Sequence, residues 1–354
     1  MNSIREVAKQ AGVSTATVSR AFNAPELISA PTHKRVLETA DRLNYRPLRA
    51  RSRVAAPKDA AAPTDEAFIG FQFFGASPED LPQANPFYAP LLAGAQVEAA
   101  ARGLHLLVHT TDRHQMARQM PKMVREKTVA GMLLVGTVDP DVLAAFLEMV
   151  PQIVLVDNRD PASRHDCIVS DNLGGALAAV NYLFELGHTR IAFLRDDPRA
   201  SSFRDRLRGY HCAHFEAGRT VDPSLLISLE SEDAIPAAIG VLLMSPNPPT
   251  ALLAANDRQA LVTMSVCRTL GLSIPDDLSL VGFDDINFSA QTWPPLTTVR
   301  IPKEQIGRLA VTRLQERLVQ ERLRATDPTL DPLPPVTLEV PVSLTVRQSC
   351  RSLG

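Results

Sequence analysis

Long apolar runs are missing from this chain. No stretch approaches the roughly 20 residues that would span a bilayer, so no membrane partner is expected. The first ten residues, MNSIREVAKQ, carry none of the apolar core of a secretory signal. The expectation is a cytoplasmic protein. Cysteine is scarce: Cys167, Cys212, Cys267 and Cys350 stand far apart. That spacing argues against a disulfide framework or a zinc cluster, and no metal site is expected. Phosphate-cradling loops are absent too. Neither G-x-x-x-x-G-K-[ST] nor G-x-G-x-x-G occurs, which removes the usual ground for a nucleotide-dependent enzyme on an α/β fold. No catalytic residue and no cofactor are expected.

A hydrophobic content of 45% with 21% charged residues fits a globular protein, and 354 residues suggest two or three domains. The net charge of -2 conceals an uneven distribution. Residues 1 to 53 hold ten Lys/Arg against four Asp/Glu, a net of +6, which leaves -8 for the remainder. A basic head on an acidic body points to a polyanion partner for the head alone.

Ser3-Ile4-Arg5-Glu6 has the S-x-x-E form of a capping box, so a helix is expected from Ile4. Ile4, Val7, Ala8 and Ala11 share one face of it. Gly12 breaks that helix, and Ser14 can cap a second one from Thr15. Val18, Ala21 and Phe22 form the buried side of the second helix, which leaves Thr15, Ala16, Ser19, Arg20 and Asn23 opposite. Small and polar residues with one arginine suit a surface pressed against base edges. Arginine can bind guanine through two hydrogen bonds, and alanine or a threonine methyl can meet a thymine methyl. A third helix is expected near Pro31-Thr32, with Val36, Leu37, Ala40 and Leu43 as its stripe.

GVSTATVSRAFN (12 to 23), then Thr32, Arg35 and Val36, then NYRP (44 to 47), closely resemble the headpiece of the LacI/GalR family of bacterial transcriptional repressors. The resemblance implies that Thr15, Ala16 and Arg20 read operator bases. Ser14, Ser19, Asn23 and the third-helix cations Lys34 and Arg35 would hold phosphates, with Thr17 and Tyr45 in the same DNA-facing set. The family's hinge helix usually reads Asn followed by Ala-Arg-Ser-Leu, with the Leu wedged into the minor groove. Here residues 47 to 54 read PLRARSRV. The Asn is absent, and either Arg53 or Val54 takes the wedge position, depending on alignment. Arg49, Arg51 and Arg53 can instead follow phosphates or enter a narrow minor groove. Residues 55 to 66, AAPKDAAAPTDE, form an Ala/Pro-rich linker.

From Phe68 short apolar runs alternate with amphipathic stretches. Strands are expected at 68–74, 104–110, 131–137, 152–158, 190–196, 250–256 and 278–285. Helices are expected at 87–102, 114–127, near 140–149, and at 174–186, 203–217, 234–244 and 258–270. Continuous apolar strands between helices mark parallel sheets covered on both faces. The fold class is therefore a small all-α helix-turn-helix head (1–47), a hinge and linker (48–66), and an α/β body (67–347). The body would have two doubly wound parallel-sheet lobes: 67–160 with 297–325, and 161–292 with 330–347. The resemblance continues through Asn85-Pro86-Phe87-Tyr88, Asp171-Asn172, the stretch 206–210, Asn256-Asp257, the stretch 281–285 and the stretch 294–299. It implies a periplasmic-binding-protein-like body whose chain crosses between lobes three times.

Ligand crevices form at the carboxyl ends of parallel strands. Arg206 can donate a fork of hydrogen bonds, Asn256 can donate and accept, and Asp284 accepts. The resemblance adds Phe87 as an apolar wall, Asn158 near the second crossover, and Ser202 beside Arg206. Asp257 and Asp285 read as structural caps, and His188 as a turn residue before a strand. VTLEVPVSLTV (336 to 346) reads as a terminal strand pair. The partners implied are double-stranded, pseudo-palindromic operator DNA, a carbohydrate-like effector such as a sugar, polyol or sugar acid, and a second copy of the chain in a homodimer. Such a regulator would work in the cytoplasm, at the nucleoid.

Overall fold

The computed structural model describes residues 4–23, 28–43, 68–75, 81–112, 120–160, 162–228 and 234–354. Contacts divide the chain into two units, Met1–Thr64 and Asp65–Gly354.

The first unit holds α1 (Ile4–Ala11), α2 (Thr15–Asn23) and α3 (Ala30–Arg42). Gly12 ends α1 at φ +63°, a conformation that costs glycine little. Ser14 caps α2, its Oγ accepting from the Thr17 N–H at 3.1 Å. The core is Val7, Ala8, Ala11, Val18, Ala21, Val36 and Ala40. His33 Nε2 reaches the Ala21 carbonyl at 3.0 Å and ties α3 to α2. Leu37, expected in the buried stripe of α3, is half-buried, and Thr39 is buried instead. Its hydroxyl donates to the Arg35 carbonyl at 2.8 Å, which satisfies it within the helix. The Ser3 cap, Asn44–Pro47, the hinge and the linker lie outside the described residues.

The second unit runs β1 (Phe68–Gly75), α4 (Tyr88–Ala101), β2 (His105–Asp112), α5 (Lys122–Arg125), β3 (Met132–Val135), α6 (Pro140–Met149), β4 (Ile153–Val156) and β5 (Asp166–Ser170). It continues through α7 (Asn172–Glu185), β6 (Ile191–Leu194), α8 (Ser201–Glu216), β7 (Leu226–Ile227), α9 (Ile235–Leu243), β8 (Ala251–Ala254), α10 (Asp257–Thr269) and β9 (Ser279–Asp284). It ends with β10 (Thr297–Arg300), α11 (Lys303–Thr326), β11 (Thr337–Val340) and β12 (Ser343–Thr345). Two six-stranded sheets result, ordered β11-β5-β4-β3-β1-β2 and β12-β10-β9-β8-β6-β7. Among the described residues all strand pairings are parallel except β10 with β12. The fold class expected from the strand runs is the one observed.

Apolar strands such as MLLV and IVLV are buried along their whole length because helices cover both faces. In the first lobe Ile69, Phe71 and Phe73 face α4 and α11, and Phe74, Met132 and Leu134 face Val124 and Phe146. α4 and α11 cross at two glycines. A Cβ on Gly307 would sit 2.0 Å from the Leu91 carbonyl oxygen, and one on Gly94 would sit 2.1 Å from that of Glu304.

Four expectations require correction. Residues 297–300 form β10 inside the second sheet, and only the following helix belongs to the first lobe. Residues 166–170 form β5 of the first sheet, so that lobe extends past residue 160. Residues 336–346 are not a strand pair: β11 adds to β5 and β12 to β10, in different sheets, with Pro341 between them. Of the helix expected at 114–127, the described part is the short α5, and 113–119 lie outside the described residues.

The segment joining α11 to β11 is strapped along the helix. Arg313, Arg317, Gln320 and Arg324, about one turn apart, donate to the carbonyls of Pro334, Leu333, Asp331 and Leu330 at 3.0, 2.8, 2.9 and 3.1 Å. Asp166 anchors the strap. It accepts from Arg317 and from the Val336 N–H at 2.8 Å, and lies 3.1 Å from Arg313.

Gly307→Ala is expected to destabilise the chain by about 3 kcal/mol or more, because two helix backbones must separate to admit a methyl group. Urea unfolding measures this. A loss within error would show that the α4–α11 crossing relaxes freely.

Candidate functional site

The two units carry separate candidate surfaces. On α2, Thr15, Ala16, Ser19 and Arg20 are exposed on one side while Val18 and Ala21 are buried on the other. Ser14 is exposed and spends one lone pair on the cap, and Thr17 is half-buried against it, the two hydroxyls 2.9 Å apart. Lys34 and Arg35 are exposed on α3. Asn23 ends α2, with its side chain outside the description. Tyr45, Arg49, Arg51, Arg53 and Val54 lie outside the described residues.

In the body, Arg206 is 2% exposed, one turn into α8. Its guanidinium donates from Nε to Asn172 Oδ1 at 2.8 Å and from Nη1 to the Ala255 carbonyl. Nη2 lies 3.1 Å from Asp284 Oδ1, and the Phe283 ring is 3.9 Å from the guanidinium carbon. Burying an arginine is costly unless its donors are met; here the start of α7 and the ends of β8 and β9 meet them. Asp284 ends β9 at φ +114° and is 8% exposed. Its Oδ1 has a charge partner in Arg206 but no hydrogen bond of good geometry. Burial pushes this carboxyl up to about 7, against the pull of Arg206 and Lys303 and with a further push from Asp257 and Asp157.

Asp157, at φ +57° just past β4, accepts from the Tyr88 hydroxyl at 2.8 Å. Loss of water around it raises its carboxyl, while Tyr88 and Arg206 lower it. Asn158 is buried, and its Oδ1 accepts from the Arg159 N–H at 3.0 Å and from Ser201 Oγ at 3.4 Å. That places Asn158 against the start of α8 rather than at a crossover, because the chain passes between sheets near 171, 301 and 341. Ser202 is buried in the same turn of α8. Phe87 is half-buried, its ring 6.0 Å from Lys303 Nζ.

Asn256 differs from expectation in how it is occupied. It is the N-cap of α10, with Oδ1 accepting from the Gln259 N–H at 2.9 Å and Nδ2 donating to Asp196 Oδ2 at 2.8 Å. Asp257 and Asp285 are structural, as expected. Asp257 accepts from the Ile286 N–H at 2.9 Å and from the Ser289 and Thr298 hydroxyls at 2.6 Å. Asp285 is bound by Arg300 and Arg347, each at 2.6 Å. His188 sits in its turn with Nε2 donating to the Arg351 carbonyl at 3.1 Å.

The body residues singled out from the sequence thus gather around the facing carboxyl ends of the two sheets, with Arg206 and Asp284 in direct contact. Four more residues there escaped sequence reading: Tyr88, Asp157, Asn172 and Lys303. Tyr88 and Asn172 sit inside the family-like stretches Asn85–Tyr88 and Asp171-Asn172, so a signal existed. Lys303 gave none, since a lysine opening a helix usually reads as a solvated charge. Among the described residues no group of three or more His, Cys, Asp or Glu could hold a metal ion. Among them also, no helix is long and apolar enough to cross a membrane.

A helix-turn-helix head joined to a two-lobed α/β body with a polar cleft defines a ligand-responsive DNA-binding regulator. The model of bacterial regulatory proteins of the lacI family matches residues 3–47, and that of the periplasmic binding protein-like domain matches 180–350. The HTH-type transcriptional repressor PurR of Aliivibrio fischeri is 32% identical over 324 residues, 90% of this chain and 92% of that one. The repressor CytR of Escherichia coli is 31% identical over 318 residues, 89% of each. A transcriptional regulator CelR–cellobiose complex superposes with a TM-score of 0.70 at 27% identity, covering 99% of this chain and 100% of that one. A lac repressor dimer bound to operator and the anti-inducer ONPF shares the fold at 24% identity, with a TM-score of 0.67 over 99% of both chains. The chain belongs to the lacI family of bacterial regulatory proteins. It is a regulator and not an enzyme.

A carboxyl raised from its ordinary 3.8 to about 7 binds its proton more tightly in the folded state. Its contribution to stability is therefore full below about pH 4 and lost as pH rises toward 7. Buried His188 and His214, whose lowered values favour the neutral ring, act in the opposite direction near their ordinary 6.5. The readout is accordingly a difference: the melting temperature of Asp284→Asn should fall less than that of the wild type between pH 5 and pH 7.5, roughly the window in which a carboxyl near 7 gives up its proton. Parallel curves would place the Asp284 carboxyl in its ordinary range.

Proposed function

We propose that this chain is a transcriptional repressor that binds a pseudo-palindromic operator as a homodimer. A small hydroxylated effector — a sugar, polyol or sugar acid — held between the two lobes sets its affinity for DNA. One observation carries the effector reading. Asp284 Oδ1 is buried, next to a buried guanidinium, and lacks a hydrogen bond. Native proteins rarely leave such an atom unmet, and an entering hydroxyl would meet it. Phe87 supplies an apolar wall, Asn158, Ser202 and Asn256 line the rim, and Arg206 retains unused N–H donors. A sugar in the CelR complex, a relative with the same body, supports the carbohydrate class. On the head, Thr15, Ala16 and Arg20 face bases, and Ser14, Thr17, Ser19, Asn23, Lys34 and Arg35 face phosphates. Tyr45, Arg49, Arg51, Arg53 and Val54 continue the DNA-facing set into the hinge. Two heads at a fixed spacing match two half-sites, which is why the dimer belongs to the reading. Such a regulator works at the nucleoid.

The effector reading is tested by thermal shift against a panel of sugars, polyols and sugar acids, because a ligand of the native state raises the melting temperature with its concentration. At least one member should do so in the wild type and fail to do so in Asp284→Asn. A shift with nucleobases or amino acids and with none of the panel would reject the carbohydrate class.

The DNA reading is tested with the operator found by footprinting upstream of the chain's own gene. Arg20→Ala should weaken binding by about 1–3 kcal/mol and relax selectivity at one base pair, whereas Lys34→Ala should weaken all sequences alike and reduce the salt slope by about one. Equal behaviour of the two variants would sink the assignment.

A further inference from the structure

Lys303 opens α11, a helix of the first lobe, yet its head lies at the end of β9 in the second. It is 8% exposed and forms no ion pair of hydrogen-bonding length among the described residues. Its three donors go to backbone. Nζ donates to the carbonyls of Asp284, Asp285 at 3.1 Å and Ile301 at 3.4 Å. An ammonium has three N–H groups and no acceptor, so three converging carbonyls match it fully.

Those carbonyls converge because the backbone there is unusual. Asp284 has φ +114° and Asp285 has φ +50°. Side-chain-bearing residues rarely hold such values unless their surroundings impose them. The conformation aims the Asp284 carboxyl at Arg206, and it also crowds three carbonyl oxygens that would repel one another without a cation. We propose that Lys303 is a positioning residue of the effector site: by binding these carbonyls it holds Asp284 in the backbone conformation that keeps its carboxyl buried beside Arg206. This rests on reading the cleft between the lobes as that site. It also makes the second chain crossing part of the site, since a first-lobe residue sets the geometry of a second-lobe ligand group.

The charged and titratable groups facing Asp284 are Arg206 from α8, Asp257 from α10, Asp157 from the end of β4 and Lys303 itself. Two opposite results of removing the ammonium follow. If Lys303 acted only through its charge, Lys303→Met would raise the Asp284 carboxyl further, because a cation that lowers it is gone. If Lys303 positions the residue, the backbone relaxes, the carboxyl turns to water, and its value drops toward 3.8.

The experiment is a carbon-13 carboxyl titration of the full chain labelled at aspartate, with the Asp284 resonance assigned by its loss in Asp284→Asn. The wild type should titrate near 7, and Lys303→Met should titrate lower by about two units or more, toward the ordinary carboxylate range. A midpoint that rises or stays in place overturns the proposal. If the Met variant does not fold, Lys303→Arg is read in the same way. It keeps the charge, but its planar fork cannot match three convergent carbonyls, and a lowered midpoint is again expected. Calorimetric titration of cellobiose, as the probe, into wild type and variant separates the two readings. Absence of binding to the wild type counts against the carbohydrate effector and leaves the carboxyl titration to decide the role of Lys303.

Discussion

The body is organised around one buried cation. Arg206 could not be 2% exposed without partners for its donors, and each partner is the end of a different element: Asn172 at the start of α7, Ala255 after β8, and Asp284 at the end of β9. The stacked Phe283 ring adds a face that hydrogen bonds cannot supply. The guanidinium thus does two jobs. It fixes the second-lobe side of the cleft, and it allows an acid to remain there at all.

Polar contacts join the two lobes beside the apolar core they share. Arg159, just after β4, donates to Asp205 on α8 at 3.0 Å, whereas its bond to Glu339 on β11 at 2.8 Å stays within the first lobe. Its main-chain N–H also donates to Ser201 Oγ at 3.1 Å. Such contacts are directional and partly hydrated, so they have discrete made and broken states, unlike the continuous apolar packing of α4 on α11. An effector shifts the balance between lobe arrangements only as far as it binds one of them better. A ligand group shared by Arg206, Asp284 and the first-lobe residues around Tyr88 and Asp157 would discriminate in this way.

Much of this was legible in the chain. Strands such as ALLA and SLVGFD declare themselves because burial on both faces demands unbroken apolar runs. Ser14 and Gly12 punctuate the head through local backbone chemistry, and Arg206 and Asp284 stand out as charges where a buried strand end or helix start was expected. What escaped is non-local. The partner of a strand is set by the whole sheet, so nothing in VTLEVPVSLTV shows that β11 and β12 leave for different lobes. Asn256 was read for its side-chain chemistry, while its position made it a cap. Lys303 was invisible because only the assembled fold brings three carbonyls to its head.

The splitting of the last strands has a consequence for how the molecule comes into being. β11 completes the edge of one sheet and β12 the edge of the other, and α11 between β10 and β11 covers the first lobe. A chain emerging from the ribosome therefore has no finished lobe until its final segment appears. The early strands wait with an exposed apolar face while about 200 further residues are made, which takes on the order of 10–40 seconds at ordinary rates of synthesis. Both lobes are then completed at almost the same moment. The two sheets are therefore closed at their edges within the same short stretch of synthesis.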